Sequence, residues 1–324
     1  MTNFEVYKKT LSFSLVSFLI GLGSLAIVAG FTAGGFFILN GVGNSRGFVG
    51  LGIGLVIGII ISVLINIFIL NRIKAAQLGM MAKGVVDGQL PEGNVFKEGL
   101  NEVKGRFAKI TLFFFVTGAI KGAFRQLGRA INRVGTAVGG DVGNGITSAI
   151  DSAIQILISY LCDCCLAWVM YNKDRGVARC ACEGAVIFFK HGKTLIANIG
   201  RIFGLGFLSF AVIGGAFFGI SYLISTQMPQ VFDMLVNEIR EVSTRNGGTV
   251  PDFLTNPTVV ALFVSGIVGI ILWSMIHSLL IRPFILVGVI RNFMNAGLSE
   301  QVTDADFNIL DVKSSRFAKL HSSI

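Results

Sequence analysis

The sequence has little charge and little proline, and it lacks the common motifs of soluble enzymes. Charged residues make up only 14% of the 324 residues, well below the roughly 25% that is typical of soluble domains. Five prolines beside 41 glycines exclude a collagen-like or proline-rich polymer. The chain has no Gly-x-Ser-x-Gly turn, no Walker-type phosphate loop and no His-Glu zinc motif. We therefore predict that it is not an enzyme.

Apolar residues make up 53% of the chain, and the mean hydropathy of the chain is +0.74. Runs of about 20 apolar residues can cross a bilayer as helices, and no segment alternates with the period of a barrel strand. The third run is short and the fourth is interrupted by Asp163. The sequence thus predicts an all-α, polytopic helical membrane protein with six transmembrane helices in three hairpins. These spans lie near residues 11–39, 48–70, 107–134, 146–170, 203–224 and 259–281, in a single membrane domain of residues 1–324 that ends in a tail at 282–324.

Lysine and arginine predict the orientation of the chain. The joins at residues 71–109 and 171–201 are rich in both, whereas the loops at 40–47 and 225–257 are not. Because loops rich in lysine and arginine stay in the cytoplasm, a multi-pass protein with both termini cytoplasmic is predicted. Anionic lipids of the inner leaflet account for this basic charge, so no nucleic-acid partner is needed.

A weak internal repeat joins two of the cytoplasmic stretches. Leu100-Asn-Glu-Val-Lys-Gly-Arg106-Phe-Ala-Lys-Ile110 resembles Leu310-Asp-Val-Lys-Ser-Ser-Arg316-Phe-Ala-Lys-Leu320, and Arg72 and Arg282 precede them at the same offset. The repeat favours either a shared structural role or generic amphipathic helices on the inner membrane surface. The candidate lipid contacts are Lys104, Arg106, Lys109, Arg316 and Lys319.

Glycines recur four residues apart, as in Gly30-x-x-x-Gly34 and Gly54-x-x-x-Gly58. This spacing allows helices to approach closely in lipid, and it predicts packing within the bundle. A homo-oligomer or membrane-protein partners remain open alternatives.

A polar seam is predicted between the third and fourth spans. Four basic residues at intervals of four fall on one helical stripe: Lys121, Arg125, Arg129 and Arg133. A hairpin that folds about Val142 would pair Arg133 with Asp151 and Lys121 with Asp163. Charges at membrane depth are normally paired or face an aqueous cavity. The seam could therefore line a path for a solute or ion, or it could lie as a wet helix at the outer surface.

The cysteines form Cys162-Asp-Cys164-Cys165 and Cys180-Ala-Cys182. Neither cluster has the Cys-x-x-Cys spacing of a zinc site, and free cysteines in helices behave as small hydrophobes. The sequence predicts free thiols, no metal and no cofactor.

The middle of the chain resembles the membrane domain of the choline transporter-like family. The corresponding pieces are Leu90-Pro91, Phe115-Val-Thr-Gly-Ala-Ile-Lys-Gly122, Leu161-Cys-Asp-Cys-Cys165 and Cys180-Ala-Cys-Glu-Gly-Ala-Val-Ile-Phe-Phe189. The chain departs from the family in having fewer spans and no long extracellular domain. The resemblance implies a transporter of choline-like cations.

Two functional hypotheses follow. The first is a transporter of a small polar or charged solute, in which Asp163 reaches a cavity near the bilayer midplane. Tyr160 and Trp168 would add the aromatic faces that quaternary ammonium ions favour. The alternative is a non-transporting scaffold that binds anionic lipids or partner proteins through basic amphipathic helices.

Overall fold

A computed structural model describes residues 1–42, 47–106, 144–191, 202–233, 254–322 and 324, with single residues between 110 and 122 and between 236 and 251. For residues 144–154 it describes the backbone alone. The regular structure of this described part is entirely helical. The chain divides into two compact units, Met1–Ile199 with Pro283–Ile324, and Gly200–Arg282.

The first unit contains most of the helices. They are α1 (Asn3–Val42), α2 (Gly47–Ile65), α3 (Asn71–Val86), α4 (Val95–Lys104), α5 (Asn144–Tyr171) and α6 (Val177–Lys190). A π-helical turn, Asn66–Leu70, joins α2 to α3. In the second unit lie α7 (Ile202–Thr226), which contains a π-helical turn at Phe210–Gly214, and α8 (Pro257–Ile276). A third π-helical turn, His277–Ile281, follows α8. The chain then returns to the first unit with α9 (Arg282–Ser299), α10 (Asp304–Lys313) and α11 (Ser315–His321).

Within the residues that the structure describes, four helices are long and apolar enough to cross a membrane, and they confirm the membrane-compatible helical class. Their bounds are Asn3–Leu39, Val49–Val86, Ile202–Thr226 and Pro257–Ser299. The predicted span at 107–134 lies largely outside the described residues. The predicted span at 146–170 falls on α5, whose apolar part is the shorter stretch Ile158–Tyr171. The count of six spans and the single-domain organisation stay predictions.

The α1–α2 hairpin has an outer surface of exposed aliphatic and aromatic side chains, such as Leu19, Phe37 and Ile60. Between the two helices the backbones touch: a β-carbon at Gly50 would overlap the carbonyl oxygen of Gly35, and one at Gly54 would overlap that of Phe31. Glycine is therefore required on the α2 side of this contact. The prediction of glycine-mediated packing holds for Gly54 and Gly58, whereas Gly30 and Gly34 have open space at their α-carbons.

Beyond the exposed hairpin the helices continue into a packed core, which we call the helical base. It consists of the first turns of α1 (residues 3–14), all of α3, α4 and α6, Ile158–Tyr171 of α5, and α9–α11. Eleven of the 16 residues of α3 are buried, and residues 160–170 of α5 are all buried. Gln77 of α3 donates a buried hydrogen bond of 2.7 Å to the Ser14 hydroxyl of α1. Because the same chain segments leave the exposed hairpin and enter this core, the base is anchored directly by the apolar helices.

The chain's beginning is also fixed to the base. The guanidinium of Arg291 in α9 donates to Asn3 Oδ1 at 2.5 Å and to the Met1 carbonyl at 2.7 Å. The side chain of Val6 is fully buried. The first turn of α1 is therefore an integral part of the base.

The second unit is an antiparallel helix pair with its own contacts. The Trp273 indole N–H donates to the Ser209 hydroxyl at 3.1 Å, and its ring packs edge-on against Phe210 at 5.0 Å between centroids. Gly269 lies close to the backbone of Gly214 and Phe218. Small residues at the crossing permit this approach.

The internal repeat extends from the sequence to the helices. The series α2, π-helical turn, α3 and α4 has lengths of 19, 5, 16 and 10 residues, and the series α8, π-helical turn, α9 and α10 has lengths of 20, 5, 18 and 10 residues. The same number of residues separates Arg72 from Arg282 and Arg106 from Arg316. A polar side chain caps both ten-residue helices, from Asn94 and Thr303. The two helical series thus follow one local plan.

Candidate functional site

Asp163, the leading candidate from the sequence, forms a buried ion pair. Its Oδ1 lies 2.5 Å from the ammonium nitrogen of Lys74, and its side chain is 4% exposed while that of Lys74 is 38% exposed. Lys74 stands two residues after Arg72, where the exposed apolar surface of α2 and its π-helical turn ends. Asp163 therefore lies where the hairpin enters the base.

The structure also describes contacts of two further basic residues, Lys121 and Arg316. Lys121 lies within electrostatic reach of Cys162, the neighbour of Asp163. A β-carbon at the adjacent Gly122 would overlap the guanidinium of Arg316. The Arg316 side chain of α11 therefore lies against Gly122, the residue that follows Lys121. We call the set Arg72, Lys74, Lys121 and Arg316 the basic collar.

The collar unites residues from distant parts of the sequence. Lys121, Asp163 and Arg316 were predicted as site residues, whereas Lys74 was not. Its signal in the sequence was only its place in a basic join. The expected partner of Asp163 was Lys121, but the ion pair in the structure is with Lys74. Arg72, Lys121 and Arg316 are exposed.

The aromatic candidates lie inside the base. Tyr160 is 3% exposed and Trp168 is 4% exposed. The Trp168 indole N–H donates to Glu183 Oε2 at 3.1 Å, and its ring packs edge-on against Phe293 of α9. Trp168 therefore has a structural role in joining α5, α6 and α9.

The remaining candidates are distributed as follows. Arg106 donates to the Met170 carbonyl at 3.4 Å, at the end of α5 away from the collar. Lys104 and Lys319 are exposed. The apolar residues around Lys319, Phe317 and Leu320, are buried in the base. Arg125, Arg129, Arg133 and Lys109 lie outside the described residues, and Asp151 lies in the part of α5 of which only the backbone is described.

All five cysteines are buried and free of disulfide bonds. The described residues contain no group of three or more His, Cys, Asp or Glu side chains that could hold a metal ion.

A polar cavity of ≈ 670 Å³ opens at the end of the base away from the collar. Its walls come from the end of α5, the start of α6 and the end of α9. At its floor, Glu183 has a 4% exposed side chain and binds two arginines. Arg175 Nη1 lies 2.9 Å from Oε2 and Arg179 Nε lies 3.3 Å from Oε1.

Ion pairs hold Glu300, one of the lining residues of this cavity, against the end of α6. Lys190 of α6 lies 2.7 Å from Glu300 and 2.8 Å from Asp306, and His191 lies 3.1 Å from Glu300. The hydrogen bonds from Lys190 hold the pKa values of both carboxyl groups below their ordinary range, and bonding to Asp306 and Glu300 raises the pKa of Lys190. These contacts tie α6 to the segment between α9 and α10.

Comparisons of the chain with protein-family models, with curated proteins and with solved structures found no match. The resemblance to the choline transporter-like family therefore stays a prediction from the residues quoted above.

Proposed function

We propose that the chain is a non-transporting membrane scaffold, which holds its helical base against an anionic bilayer surface through the basic collar. The observation that carries the proposal is the buried ion pair between Asp163 and Lys74 at the junction of hairpin and base. A carboxylate that is paired and packed in this way stabilises the junction, whereas a solute site requires access for the solute.

The distribution of apolar surface supports an anchoring role. The hairpin exposes apolar side chains along α1 and α2, and the base buries its own in a protein core. Insertion of the hairpin in a bilayer would place the collar at the level of the lipid headgroups. At the headgroup level, each lysine or arginine contributes about 1 kcal/mol to the free energy of binding to an anionic membrane surface.

Lipid retention tests this proposal. The protein would be placed in nanodiscs of mixed phosphatidylcholine and phosphatidylglycerol, released, and weighed with its bound lipids by native mass spectrometry. We expect phosphatidylglycerol to be enriched, and Arg72→Gln with Arg316→Gln to reduce that enrichment. Lys8→Gln with Lys97→Gln is the matched control, because it removes the same charge from exposed positions outside the collar. Equal retention of both lipids by the native protein would overturn the proposal.

Transport of a small polar or charged solute is the second candidate. Its support is the sequence resemblance and the charged stripe that begins at Lys121. Solute uptake by reconstituted vesicles decides between the two functions, as described at the end of the Discussion.

A further inference from the structure

The polar cavity at the far end of the base has no part in the proposed scaffold function. It is lined by residues that include Trp168, Arg175, Arg179, Glu183, Glu300 and Gln301. Its volume of ≈ 670 Å³ falls in the range of about 300–1,000 Å³ that small-molecule sites occupy. All of its walls belong to the first unit. The cavity therefore needs a chemical explanation of its own.

Two arginines supply the donors of this cavity. The side chains of Arg175 and Arg179 are 52% and 55% exposed, although each also contacts the buried Glu183. A guanidinium has five N–H donors, and the contacts with Glu183 use one nitrogen of each side chain. Glu183 is itself fixed by the Trp168 indole. The buried carboxylate thus contacts one nitrogen of each guanidinium group, and both arginine side chains stay about half exposed.

The start of α6 adds backbone donors at the same place. Its N-cap residue, Gly176, lines the cavity and has no side chain to cap the helix, and the first turn contains no acidic residue. The first amide groups of a helix have no partner within the helix, and with the helix dipole they favour an anion. Arginine and free amides together match the oxygens of a phosphate group.

Three lining side chains of the cavity are acidic, and two of them are engaged by basic partners. Glu183 is engaged by both arginines, and Glu300 is engaged by Lys190 and His191. Asp174 is exposed at the rim. The unengaged donors are therefore concentrated on the wall formed by α6.

We infer that this cavity binds the phosphate group of a small molecule, with Arg175, Arg179 and the first amides of α6 as its donors. The inference is independent of whether the chain is a scaffold or a transporter. Asn172 lines the cavity and lies nine residues after Asp163, just beyond the end of α5. Nine residues of a helix span about 13 Å. The cavity is thus separated from the collar, so both a soluble phosphate compound and a lipid headgroup need to be tested as sources of the phosphate.

Binding of inorganic pyrophosphate to the full-length protein in nanodiscs tests the inference by titration calorimetry. We expect saturable binding to the native protein, and an affinity at least tenfold lower for Arg179→Gln. Gln301→Trp is the second variant, because it fills the cavity from the opposite wall and leaves the contacts of Glu183 intact. Lys104→Gln is the control, since it removes a positive charge outside the cavity.

The lipid composition of the nanodiscs distinguishes the two sources. If phosphatidic acid weakens pyrophosphate binding to the native protein, and an equal fraction of phosphatidylglycerol does not, the phosphate of a lipid headgroup reaches the cavity. If phosphatidic acid has no effect and pyrophosphate still binds, the ligand is a soluble phosphate compound. Absence of pyrophosphate binding in both compositions, or binding that Arg179→Gln and Gln301→Trp leave unchanged, would overturn the inference.

Discussion

Asp163 of α5 and Lys74 of α3 form an ion pair of 2.5 Å at the point where the apolar hairpin becomes the helical base. The two residues are far apart in sequence, and they lie on helices that leave the hairpin level in the same direction. A second contact farther along, between Gly79 and Met170, shows that α3 and α5 continue side by side. The ion pair is therefore one contact of a parallel interface between α3 and α5.

Removal of either partner tests the energetic role of this pair. Lys74→Met leaves the buried carboxylate of Asp163 without this ammonium group. Breaking a fully buried ion pair costs roughly 3–5 kcal/mol. Because Lys74 is partly exposed, we expect a smaller loss of about 2 kcal/mol in the free energy of unfolding. Asp163→Asn should cost less, since the remaining Lys74 can reach solvent. Thermal unfolding in detergent measures both variants and their combination. A double variant as unstable as the sum of the single variants would contradict a direct interaction.

The glycine contacts of the hairpin give a prediction with a matched control on the same helix. Gly54→Ala places a β-carbon on the Phe31 carbonyl, whereas Gly52→Ala enters open space. We expect Gly54→Ala to destabilise the hairpin by about 1–3 kcal/mol, as overpacking does, and Gly52→Ala to have little effect. The unfolding temperatures of the two variants in the same detergent provide the comparison. Equal unfolding temperatures would show that α1 and α2 do not pack through this face.

The ion pairs of Lys190 predict a dependence of stability on pH. The pKa values of Glu300 and Asp306 are lowered from 4.5 and 3.8, chiefly by hydrogen bonds from Lys190. The stabilisation that these two ionised carboxyl groups contribute is complete above pH 4.5, and it is lost as the pH falls through their lowered pKa values. The pKa of Lys190 is raised above 10.5, so its contribution is lost only as the pH rises past that raised value.

Lys190→Gln should therefore lower the unfolding temperature at neutral pH. Below the pKa values of both carboxyl groups, the difference between this variant and the native protein should shrink. Lys97→Gln, an exposed lysine on α4, serves as the control and should show no such dependence. A constant difference across the acid range would show that the ion pairs do not couple α6 to α10.

Arg291 predicts an effect at the other end of the chain. Its bonds to Asn3 and to the Met1 carbonyl fix the start of α1, so Arg291→Gln should increase hydrogen exchange in residues 1–10. Asn295→Gln changes an exposed side chain of the same helix and should leave this exchange unchanged. Unaltered protection of residues 1–10 in Arg291→Gln would mean that other contacts, such as the burial of Val6, hold this segment alone.

The sequence identifies the helical membrane class because hydropathy reports long apolar helices directly. It does not distinguish Ile158–Tyr171, which is buried in protein, from a span buried in lipid, because both surroundings select apolar residues. The same ambiguity affects the Arg-Phe-Ala-Lys segment of α11. There Phe317 and Leu320 contribute to the protein core, although the amphipathic pattern also suits a membrane surface.

The basic collar could be predicted only in part. Counting residues along one helical hairpin predicts that Lys121 lies opposite Asp163. The repeated Arg-Phe-Ala-Lys motif identifies Arg316. Lys74 comes from another helix, and no local pattern connects it to Asp163. Contacts of this kind depend on which helices pack together, and periodicity does not encode that choice.

Uptake of labelled choline by proteoliposomes is the most direct test of the central claim that Asp163 is a structural residue of a non-transporting scaffold. The native protein and Asp163→Asn would be compared with empty vesicles at matched protein content, and thermal unfolding would verify that both proteins are folded. We predict that neither protein raises uptake above that of the empty vesicles. Uptake by the native protein that Asp163→Asn abolishes would contradict the claim and establish transport.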